Sequence, residues 1–283
     1  MAESSQKAFI TGWPVTHSRS PLIHGHWLAQ HRLDGSYEKQ GVEVAGLADL
    51  FDAVRRGEWL GGNVTLPHKE AAFALVDEVH EPAKRLGAVN TVWHAGGRLH
   101  GTNTDGLGFL ANLDERSAGW DAAPKHNRGA LVLGAGGAAR AIIVALQDRG
   151  FAPVFIANRT VEKAKQLAVE FGAPCKAISL EDSCEVAKNI AFMVNTTSVG
   201  MDGKSAPINL DAFPQDCLIN DIIYSPLETP LLADARKRAM PVVDGLGMLL
   251  HQAVPGFEHW FGVRPSVTED LRSLILCDLG ATP

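Results

Sequence analysis

Residues 130–139 read Ala130-Leu-Val-Leu-Gly-Ala-Gly-Gly-Ala-Ala139, an apolar run followed by a glycine-rich turn and then by a helix-like stretch to Asp148. This strand–turn–helix order is typical of a dinucleotide-binding unit. Gly134 permits the tight turn, Gly136 lets the backbone approach a pyrophosphate, and Ala139 is small enough for close helix–strand packing. The N-terminus of the helix offers free N–H groups to the phosphates. The motif lies near the middle of the chain, so the N-terminal half is available to bind a second ligand.

The segments that flank this turn divide the chain into two predicted domains. After the turn, strand-like and helix-like patterns alternate, which predicts a doubly wound parallel sheet of Rossmann type. Its expected strands are 130–133, 153–157, 191–195, 218–223 and 240–243, and its helices are 138–148 and 161–170. The N-terminal half predicts a mixed α/β domain with strands 7–11, 37–44 and 62–66, helices 22–31, 45–55 and 69–74, and a hairpin of 88–94 with 98–102.

The expected domain boundaries follow from a polar stretch and from the C-terminal pattern. Residues 117–128 contain Gly119 and Pro124 and are typical of a connector. Residues 248–279 are mostly helical in pattern, and we expect them to complete the N-terminal domain. The prediction is an N-terminal substrate domain of residues 1–107 with 248–283, and a nucleotide-binding domain of residues 108–247.

Composition excludes several classes of protein. The chain has 283 residues, 46% of them hydrophobic and 20% charged, with a net charge of -6. This balance argues against nucleic acid as a partner. No apolar run has membrane-spanning length, and the first residues lack the apolar core of a signal peptide. The four cysteines show no metal-binding spacing and are typical of reduced thiols, so we expect no metal and a cytoplasmic location.

The residues after the second strand of the nucleotide-binding domain predict NADP. An NAD site places an acidic residue there, whereas an NADP site places a cation for the 2′-phosphate. Here the strand ends in Asn158-Arg159-Thr160, with Lys163 one helical turn further. Arg159 and Lys163 can clamp a phosphate from two sides, and Thr160 adds a hydroxyl and an expected helix cap. The alternative is a capped helix with an exposed arginine.

Three segments of the N-terminal half are unusually rich in polar side chains. They are His17-Ser18-Arg19-Ser20-Pro21, Asn63-Val-Thr65-Leu-Pro-His-Lys69, and the pair Asn90-Thr91 with Asn103-Thr104-Asp105-Gly106. Hydroxyl and amide groups that converge from strand ends suit a polyhydroxylated small molecule. Taken singly, each has a structural alternative: a helix-capping serine, an Asn or Asp turn, or a solvated lysine.

These motifs, in this order, resemble the shikimate dehydrogenase family over nearly the whole chain. The matching segments are Gly12–Pro21, Asn63–Lys69, Gly87–Thr91, Asn103–Gly106, Gly134–Arg140, Asn158–Thr160, Asn195–Gly200, Asp221–Tyr224 and Asp244–Gln252. The resemblance implies reduction of 3-dehydroshikimate to shikimate with NADPH, in aromatic amino acid biosynthesis. The sequence departs from the family pattern at Lys163, where arginine is common, and at Gly25, where asparagine is common.

The resemblance also implies the roles of individual residues. The substrate-binding residues are Ser18, Ser20, Thr65, Lys69, Asn90, Asp105, Tyr224 and Gln252. The nucleotide-binding residues are Gly134, Ala135, Gly136, Gly137, Ala138, Asn158, Arg159, Thr160, Lys163, Ile222 and Gly245.

The chemistry suggests a pair of catalytic residues. Hydride transfer to a ketone builds negative charge on the carbonyl oxygen, and Lys69 is the expected acid that protonates it. Asp105 is the expected neighbour that orients Lys69. Ser18 and Ser20 are expected to hold the substrate carboxylate, while Arg19 points to solvent. No carboxylate partner is discernible from sequence for His17, His68 or His251.

Three alternatives stay open at this point. The first is a quinate/shikimate dehydrogenase that also accepts NAD, although no acidic residue stands near position 158. The second is a non-catalytic NADP-binding protein, which would not need Lys69 and Asp105 together. The third is a folate-type dehydrogenase, which would need a more apolar pocket than these segments offer. The enzyme interpretations share a small-molecule partner, and we expect a monomer or a homodimer.

Overall fold

The computed structural model describes residues 6–122 and 128–281, which form two compact units. The first unit runs to Thr104 and includes Gln252–Asp278, and the second consists of Asp105–His251 with residues 279–281. The second unit begins at Asp105, which is also the first residue of a helix. This boundary lies three residues before the one expected from sequence. Of the expected connector, residues 123–127 lie outside the described residues, as do residues 1–5, on which the signal-peptide expectation depends.

The first unit is built on a mixed sheet. Its strands are β1 (Gln6–Gly12), β2 (Gly35–Gly41), β3 (Gly61–Val64), β4 (Glu78–Val79), β5 (Thr91–Ala95) and β6 (Arg98–Thr102), and its helices up to this point are α1 (Ser20–His31), α2 (Leu47–Arg55), α3 (Lys69–Leu75) and α4 (Ala83–Leu86). The strand order is β2-β1-β3-β5-β6-β4. The first three strands are parallel, and β5 and β6 form the expected antiparallel hairpin, in which Ala95 faces Arg98.

The second unit is built on a parallel sheet. Its strands are β7 (Ala130–Leu133), β8 (Val154–Asn158), β9 (Cys175–Ser179), β10 (Phe192–Asn195), β11 (Leu218–Asp221) and β12 (Val242–Val243), and its helices are α5 (Asp105–Arg116), α6 (Gly137–Asp148), α7 (Val161–Phe171), α8 (Ser183–Val186) and α9 (Pro230–Lys237). The strand order is β12-β11-β10-β7-β8-β9. Counted within the unit, this is the 3-2-1-4-5-6 order of the Rossmann fold, as predicted.

Strand β7 shows why the sequence folds in this way. All four of its residues are fully buried. Ala130 and Val132 pack into one apolar cluster with α6, and Leu131 and Leu133 pack into another with α9. Successive strand side chains point to opposite faces, so a continuous apolar run is what a strand covered on both faces requires.

The chain ends in two helices, α10 (Leu246–Phe261) and α11 (Glu269–Asp278). The later part of α10 and all of α11 belong to the first unit. The Trp260 indole N–H donates to the Val92 carbonyl at 2.9 Å, and the Trp27 indole N–H donates to the Ser266 carbonyl at 3.0 Å. These bonds attach the C-terminal segment to β5 and α1.

Several elements differ from the sequence prediction. Strand β2 ends at Gly41 rather than Val44, because residues 44–46 form a short 3-10 helix that leads into α2. The prediction omitted β4, β9 and the helices α4, α5, α8 and α9. Within the described ranges, no helix combines the length and the apolar character needed to cross a membrane.

Candidate active site

The glycine turn after β7 is shaped as a dinucleotide cradle. Gly134 has φ of +108°, and a Cβ placed there would lie 2.6 Å from the Thr196 hydroxyl oxygen, so the position requires glycine. Gly136 and Gly137 are exposed and have open space where a Cβ would stand. Helix α6 begins at Gly137, so the N–H groups of its first turn face that space without intrahelical acceptors. The turn therefore offers room and donors for phosphate oxygens, and its residues fit a bound dinucleotide.

The end of β8 borders a groove of about 240 Å³, which Gly134, Asn158, Arg159 and Thr197 help to line. Arg159 and Lys163 are both exposed, and neither forms an ion pair with any residue in the described part of the chain. Thr160 occupies the N-cap position of α7, but its side chain makes no capping hydrogen bond, so the expected cap is wrong. Instead, the Asn158 amide donates to the Thr160 carbonyl at 2.9 Å. The groove and the two cations fit the NADP expectation.

A buried carboxylate that the sequence analysis did not assign organises the loops beside the cradle. Asp221 is fully buried and accepts hydrogen bonds from Ile223 N at 3.1 Å, Asn195 Nδ2 at 3.1 Å and the Thr229 hydroxyl at 2.8 Å. Burial raises the pKa of Asp221, and the three hydrogen bonds oppose that effect. Asp221 therefore connects β10, β11 and the start of α9.

Two of the expected nucleotide-binding residues are in direct contact. Gly245 is buried, and a Cβ there would overlap the carbonyl group of Ile222. Tyr224, two residues after Ile222, is half-buried. The structure thus brings Ile222 and Gly245 together at the carboxyl end of β11.

The two serines of the first unit contact each other. The Ser18 hydroxyl donates to Ser20 Oγ at 3.2 Å and accepts from Ser20 N at 3.3 Å. The N-cap residue of α1 is Arg19, whose side chain makes no capping hydrogen bond, so within the described residues the one N–H at the start of the helix that a serine satisfies is that of Ser20, bound by Ser18. Arg19 does not simply point to solvent: its guanidinium pairs with Asp278 at 3.0 Å and donates to the His17 carbonyl at 2.7 Å.

A tight turn after β3 positions Lys69. His68 N donates to the Thr65 carbonyl at 2.9 Å, and α3 begins at Lys69. The Lys69 carbonyl accepts from Val89 N at 2.9 Å, which fixes its backbone beside the residue that precedes Asn90. His68 is fully buried, and its Nε2 lies 2.7 Å from the Val42 carbonyl oxygen, so its role is structural.

Asn90 is the centre of a buried polar network. Its Oδ1 accepts from the Thr91 hydroxyl at 2.9 Å and from Thr104 N at 2.9 Å, and its Nδ2 donates to Thr104 Oγ1 at 3.0 Å. The Thr104 hydroxyl in turn donates to the Gln252 carbonyl at 2.8 Å. Asn90 and Gln252, both expected from sequence to bind substrate, are therefore linked through Thr104. Asp105 is the next residue in the chain.

Two further residues belong to this network: Asn63, which was noted from sequence only as part of a polar segment, and Tyr37, which was missed. The Tyr37 hydroxyl donates to Asn63 Oδ1 at 2.6 Å, and Asn63 Nδ2 donates to Thr91 Oγ1 at 3.1 Å. Burial raises the pKa of Tyr37 well above its ordinary value, and its hydrogen bonding with Asn63 and Ser20 opposes this effect. The phenol therefore stays protonated. A lone inward-facing tyrosine in the polar strand β2 was the available signal.

The ring of His24 lies against this network. It is fully buried and stacks on Tyr37 with the ring centroids 4.0 Å apart. Burial lowers the pKa of His24 to about 3, and the nearby Asn63 side chain opposes this. His24 is thus a neutral aromatic ring in the core. The structure shows a carboxylate partner for His251 that the sequence did not reveal: its Nε2 lies 2.6 Å from a Glu115 carboxylate oxygen.

A Rossmann-type unit joined to a separate unit with a buried amide and hydroxyl network defines a two-domain protein of the dinucleotide-binding class. Family models match residues 10–92 as a shikimate dehydrogenase substrate binding domain, residues 121–201 as shikimate / quinate 5-dehydrogenase, and residues 245–274 as a shikimate 5'-dehydrogenase C-terminal domain. The chain is 52% identical to the shikimate dehydrogenase (NADP(+)) of Mesorhizobium japonicum, over 100% of both chains. The chain belongs to the shikimate dehydrogenase family.

Solved structures of relatives agree with this assignment. The shikimate 5-dehydrogenase of Thermus thermophilus, in complex with NADP(H) and shikimate, superposes with a TM-score of 0.84 at 38% identity, covering 95% of this chain and 98% of that one. The quinate dehydrogenase of Corynebacterium glutamicum, in complex with NAD, superposes with a TM-score of 0.86 at 29% identity, covering 96% of this chain and 99% of that one.

Proposed function

We propose that this chain is an NADP-dependent shikimate dehydrogenase, which reversibly reduces 3-dehydroshikimate to shikimate with NADPH in aromatic amino acid biosynthesis. The supporting observation is identity of 52% with a shikimate dehydrogenase (NADP(+)) along the entire chain. The cradle at Gly134–Gly137 and the cations that follow β8 are what such a function requires.

The second unit is the proposed NADP-binding domain, and bound NADPH supplies the hydride. The turn from Gly134 to Ala138 would hold the pyrophosphate through backbone N–H groups. Asn158, Arg159, Thr160 and Lys163 would hold the ribose and its 2′-phosphate, with charge-assisted bonds from the two cations. Ile222 and Gly245 would contact the remainder of the nucleotide.

The first unit is the proposed substrate domain, in which Ser18 and Ser20 hold the substrate carboxylate. The substrate hydroxyls would be bound by Thr65, Asn90 and Gln252, and Tyr224 is a further proposed substrate-binding residue. Hydroxyl and amide groups suit this task because each both donates and accepts. The linked side chains of Ser18 and Ser20, and of Asn90 and Thr104, support the assignment because a hydrogen bond within each pair fixes the positions of its polar atoms.

Lys69 and Asp105 are the proposed catalytic residues. As hydride reaches the carbonyl carbon, the carbonyl oxygen gains negative charge, and the Lys69 ammonium stabilises and then protonates it. In the reverse direction Lys69 accepts the hydroxyl proton. Asp105 orients Lys69 and accepts a hydrogen bond from a substrate hydroxyl. Two observations support this assignment: Val89 N donates to the Lys69 carbonyl, and Asp105 directly follows Thr104, whose N–H donates to Asn90 Oδ1.

Substitution of Lys69 tests the assignment of the acid. Lys69→Ala is expected to lower kcat by about 10²–10⁴ at saturating shikimate and NADP, because the group that accepts the hydroxyl proton in this direction is lost. Lys84→Ala, on the exposed face of α4, is the matched control and is expected to keep wild-type kcat. The readout is the absorbance of NADPH. A Lys69→Ala enzyme with wild-type kcat would exclude Lys69 as the acid, while wild-type enzyme inactive on shikimate would exclude the proposed function itself.

A quinate dehydrogenase that uses NAD is the second candidate, since such a relative superposes on this chain. The end of β8 argues against it because Asn158 and Arg159 stand where an NAD site has an acidic residue. Steady-state kinetics with shikimate and with quinate, each with NADP and with NAD, separate the two. We expect the largest kcat/KM for shikimate with NADP.

The cell location and the assembly are part of the same proposal. The cysteines within the described ranges are free thiols, which suits a reducing compartment, and we place the enzyme in the cytoplasm. We propose that it acts on its small-molecule substrate as a monomer or a homodimer, without a nucleic-acid or membrane partner. Sedimentation of the purified protein distinguishes monomer from dimer.

A further inference from the structure

The side chains of the buried polar network in the first unit are linked in series, and each one donates a hydrogen bond to the next. The chemistry of the groups determines which partner is the donor. An amide nitrogen can only donate, so Asn63 Nδ2 donates to Thr91 Oγ1 at 3.1 Å. Thr91 is thereby the acceptor in that bond, and its own hydrogen is directed to Asn90 Oδ1 at 2.9 Å. The donor on Asn90 then faces Thr104, whose hydrogen goes to the Gln252 carbonyl.

Tyr37 stands at the start of this sequence of bonds. Its hydroxyl donates to Asn63 Oδ1 at 2.6 Å, so the oxygen end of the Asn63 carboxamide faces Tyr37 and the nitrogen end faces Thr91. The phenol oxygen also interacts with the Ser20 hydroxyl, which itself accepts from Ser18. Tyr37 therefore lies between the serine pair and Asn90 without being an expected substrate ligand.

We propose that Tyr37 is a positioning residue, whose hydroxyl fixes the orientation of the Asn63 carboxamide and, through Thr91, that of the Asn90 carboxamide that binds substrate. The proposal rests on the proposed function of the first unit. Without the phenol hydroxyl, the Asn63 carboxamide is free to rotate by half a turn and present its oxygen to Thr91. The Thr91 hydrogen is then drawn away from Asn90, whose carboxamide loses one of the donors that orient it.

The surroundings of Tyr37 show that the hydroxyl, rather than the ring, is the part to test. The ring packs between His24 at 4.0 Å and Trp260 at 5.7 Å, centroid to centroid, and a phenylalanine ring preserves these contacts. The residue is 8% exposed, so water does not readily replace the lost donor. Tyr37→Phe thus removes one donor and leaves the packing.

The kinetic test compares Tyr37→Phe with a matched control. Tyr37→Phe is expected to raise KM for shikimate about fivefold to tenfold, with kcat within twofold of wild type and KM for NADP unchanged, because one hydrogen bond that orients a binding group is lost. Thr91→Val interrupts the same sequence one step later and should have the same effect. Thr11→Val is the control, because Thr11 is buried in β1 of the same unit and its hydroxyl has no hydrogen-bond partner within the described residues. A Tyr37→Phe enzyme that is less stable but has an unchanged KM would overturn the proposal.

A double-mutant cycle separates positioning from a general structural effect. In an Asn90→Ala background, Tyr37→Phe should change kcat/KM for shikimate by less than twofold, because the group it orients is absent. Equal effects in the two backgrounds would overturn the proposal.

A readout without substrate keeps this test independent of the proposed function. The side-chain amide protons of Asn90, assigned by their loss in Asn90→Ala, should exchange with water at least tenfold faster in Tyr37→Phe than in wild type. Unchanged exchange would overturn the proposal whether or not the enzyme oxidises shikimate. Wild-type enzyme that neither binds nor oxidises shikimate would instead overturn the proposed function alone.

Discussion

Arg159 and Lys163 differ from two partly buried arginines of the second unit, Arg140 and Arg149, in their ion pairing. Arg140 pairs with Glu170, and Arg149 pairs with Asp114 and Asp121, whereas Arg159 and Lys163 have no carboxylate partner in the described part of the chain. A cation already paired with a carboxylate has less to gain from a phosphate. These two residues are therefore available to an incoming 2′-phosphate, which NAD lacks.

Substitution of Arg159 should change the choice of nucleotide. We expect Arg159→Ala to raise KM for NADP about 10- to 100-fold, because a charge-assisted bond to phosphate is lost. KM for NAD should stay within twofold. Lys163→Arg should strengthen the preference for NADP, since a guanidinium binds phosphate with two parallel bonds. Steady-state kinetics with both nucleotides provide the measurement, and an equal rise in both KM values would contradict this assignment.

His24 makes the stability of the protein depend on pH in a defined direction. The pKa of His24 is lowered from 6.5 to about 3 by burial, so between these values the unfolded chain binds a proton that the folded chain does not. The free energy of unfolding therefore falls as pH decreases from 6.5 to 3, and His24 contributes no further loss below that. At pH 5 the His24 term lowers the free energy of unfolding by about 2 kcal/mol relative to its value above pH 6.5.

Urea unfolding at pH 7.5 and pH 5 measures this contribution. The difference in free energy of unfolding between the two pH values should be about 2 kcal/mol smaller in His24→Phe than in wild type. Phenylalanine suits the site because neither ring nitrogen of His24 has a hydrogen-bond partner within the described residues. His31→Gln, at an exposed position of α1, is the control and should retain the wild-type difference. An unchanged difference in His24→Phe would show that His24 is not the group responsible.

At the scale of elements, prediction from sequence succeeded where a pattern is local. Strand β7 and helix α6 were predicted because four apolar residues and a glycine turn adjoin in the sequence. Helix α5 was missed because Gly106 and Gly108 weaken its local helical preference, which packing overrides. Helix α9 had a usable signal, since Thr229 caps it through Leu232 N at 3.3 Å and Pro230 follows.

Side-chain networks were the part of the site that no local pattern predicts. Asn63, Thr91 and Thr104 stand in polar motifs that were noted from sequence, but their mutual bonds depend on how β3, β5 and the residues after β6 are paired. Tyr37 joins them from β2, which lies two strands away from β3 in the sheet. Such a network is a property of the sheet order, and the sequence alone did not determine that order for the first unit.

Substitution of two glycines of the second unit by alanine is predicted to affect different properties: stability at Gly245 and nucleotide binding at Gly136. A Cβ at Gly245 overlaps the Ile222 carbonyl, and backbone cannot move aside, so Gly245→Ala should lower the free energy of unfolding by about 2 kcal/mol. Gly136 has φ of -96° and open space around it, so Gly136→Ala should leave stability within about 0.5 kcal/mol. The added methyl group stands where the nucleotide would lie, so KM for NADP should rise at least about tenfold.

Urea unfolding and steady-state kinetics of both variants separate these effects. The control within the Gly136→Ala enzyme is KM for shikimate, which should not change. A Gly136→Ala enzyme that unfolds at much lower urea, with normal affinity for NADP, would show that this glycine serves the fold rather than the nucleotide.

At the scale of the whole molecule, each unit has an apolar core of its own. Phe9, Phe51 and Val92 belong to a cluster in the first unit, and Val132, Ile142 and Phe192 belong to one in the second. Each ligand is therefore expected to stabilise the unit that holds its proposed binding residues. This follows from linkage, because a ligand that binds only the folded form slows the openings that destroy its site.

Hydrogen exchange followed by mass spectrometry locates that stabilisation along the chain. At NADP near 100 times its Kd, amides in peptides that cover 131–140 and 155–163 should exchange up to about 100-fold more slowly, wherever exchange requires an opening that destroys the site. Shikimate alone should slow exchange in peptides that cover 17–22, 62–69 and 88–104. Arg159→Ala at the same NADP concentration is the control and should lose most of the nucleotide effect while keeping that of shikimate. Protection by NADP confined to the shikimate peptides would contradict the assignment of nucleotide and substrate to the two units.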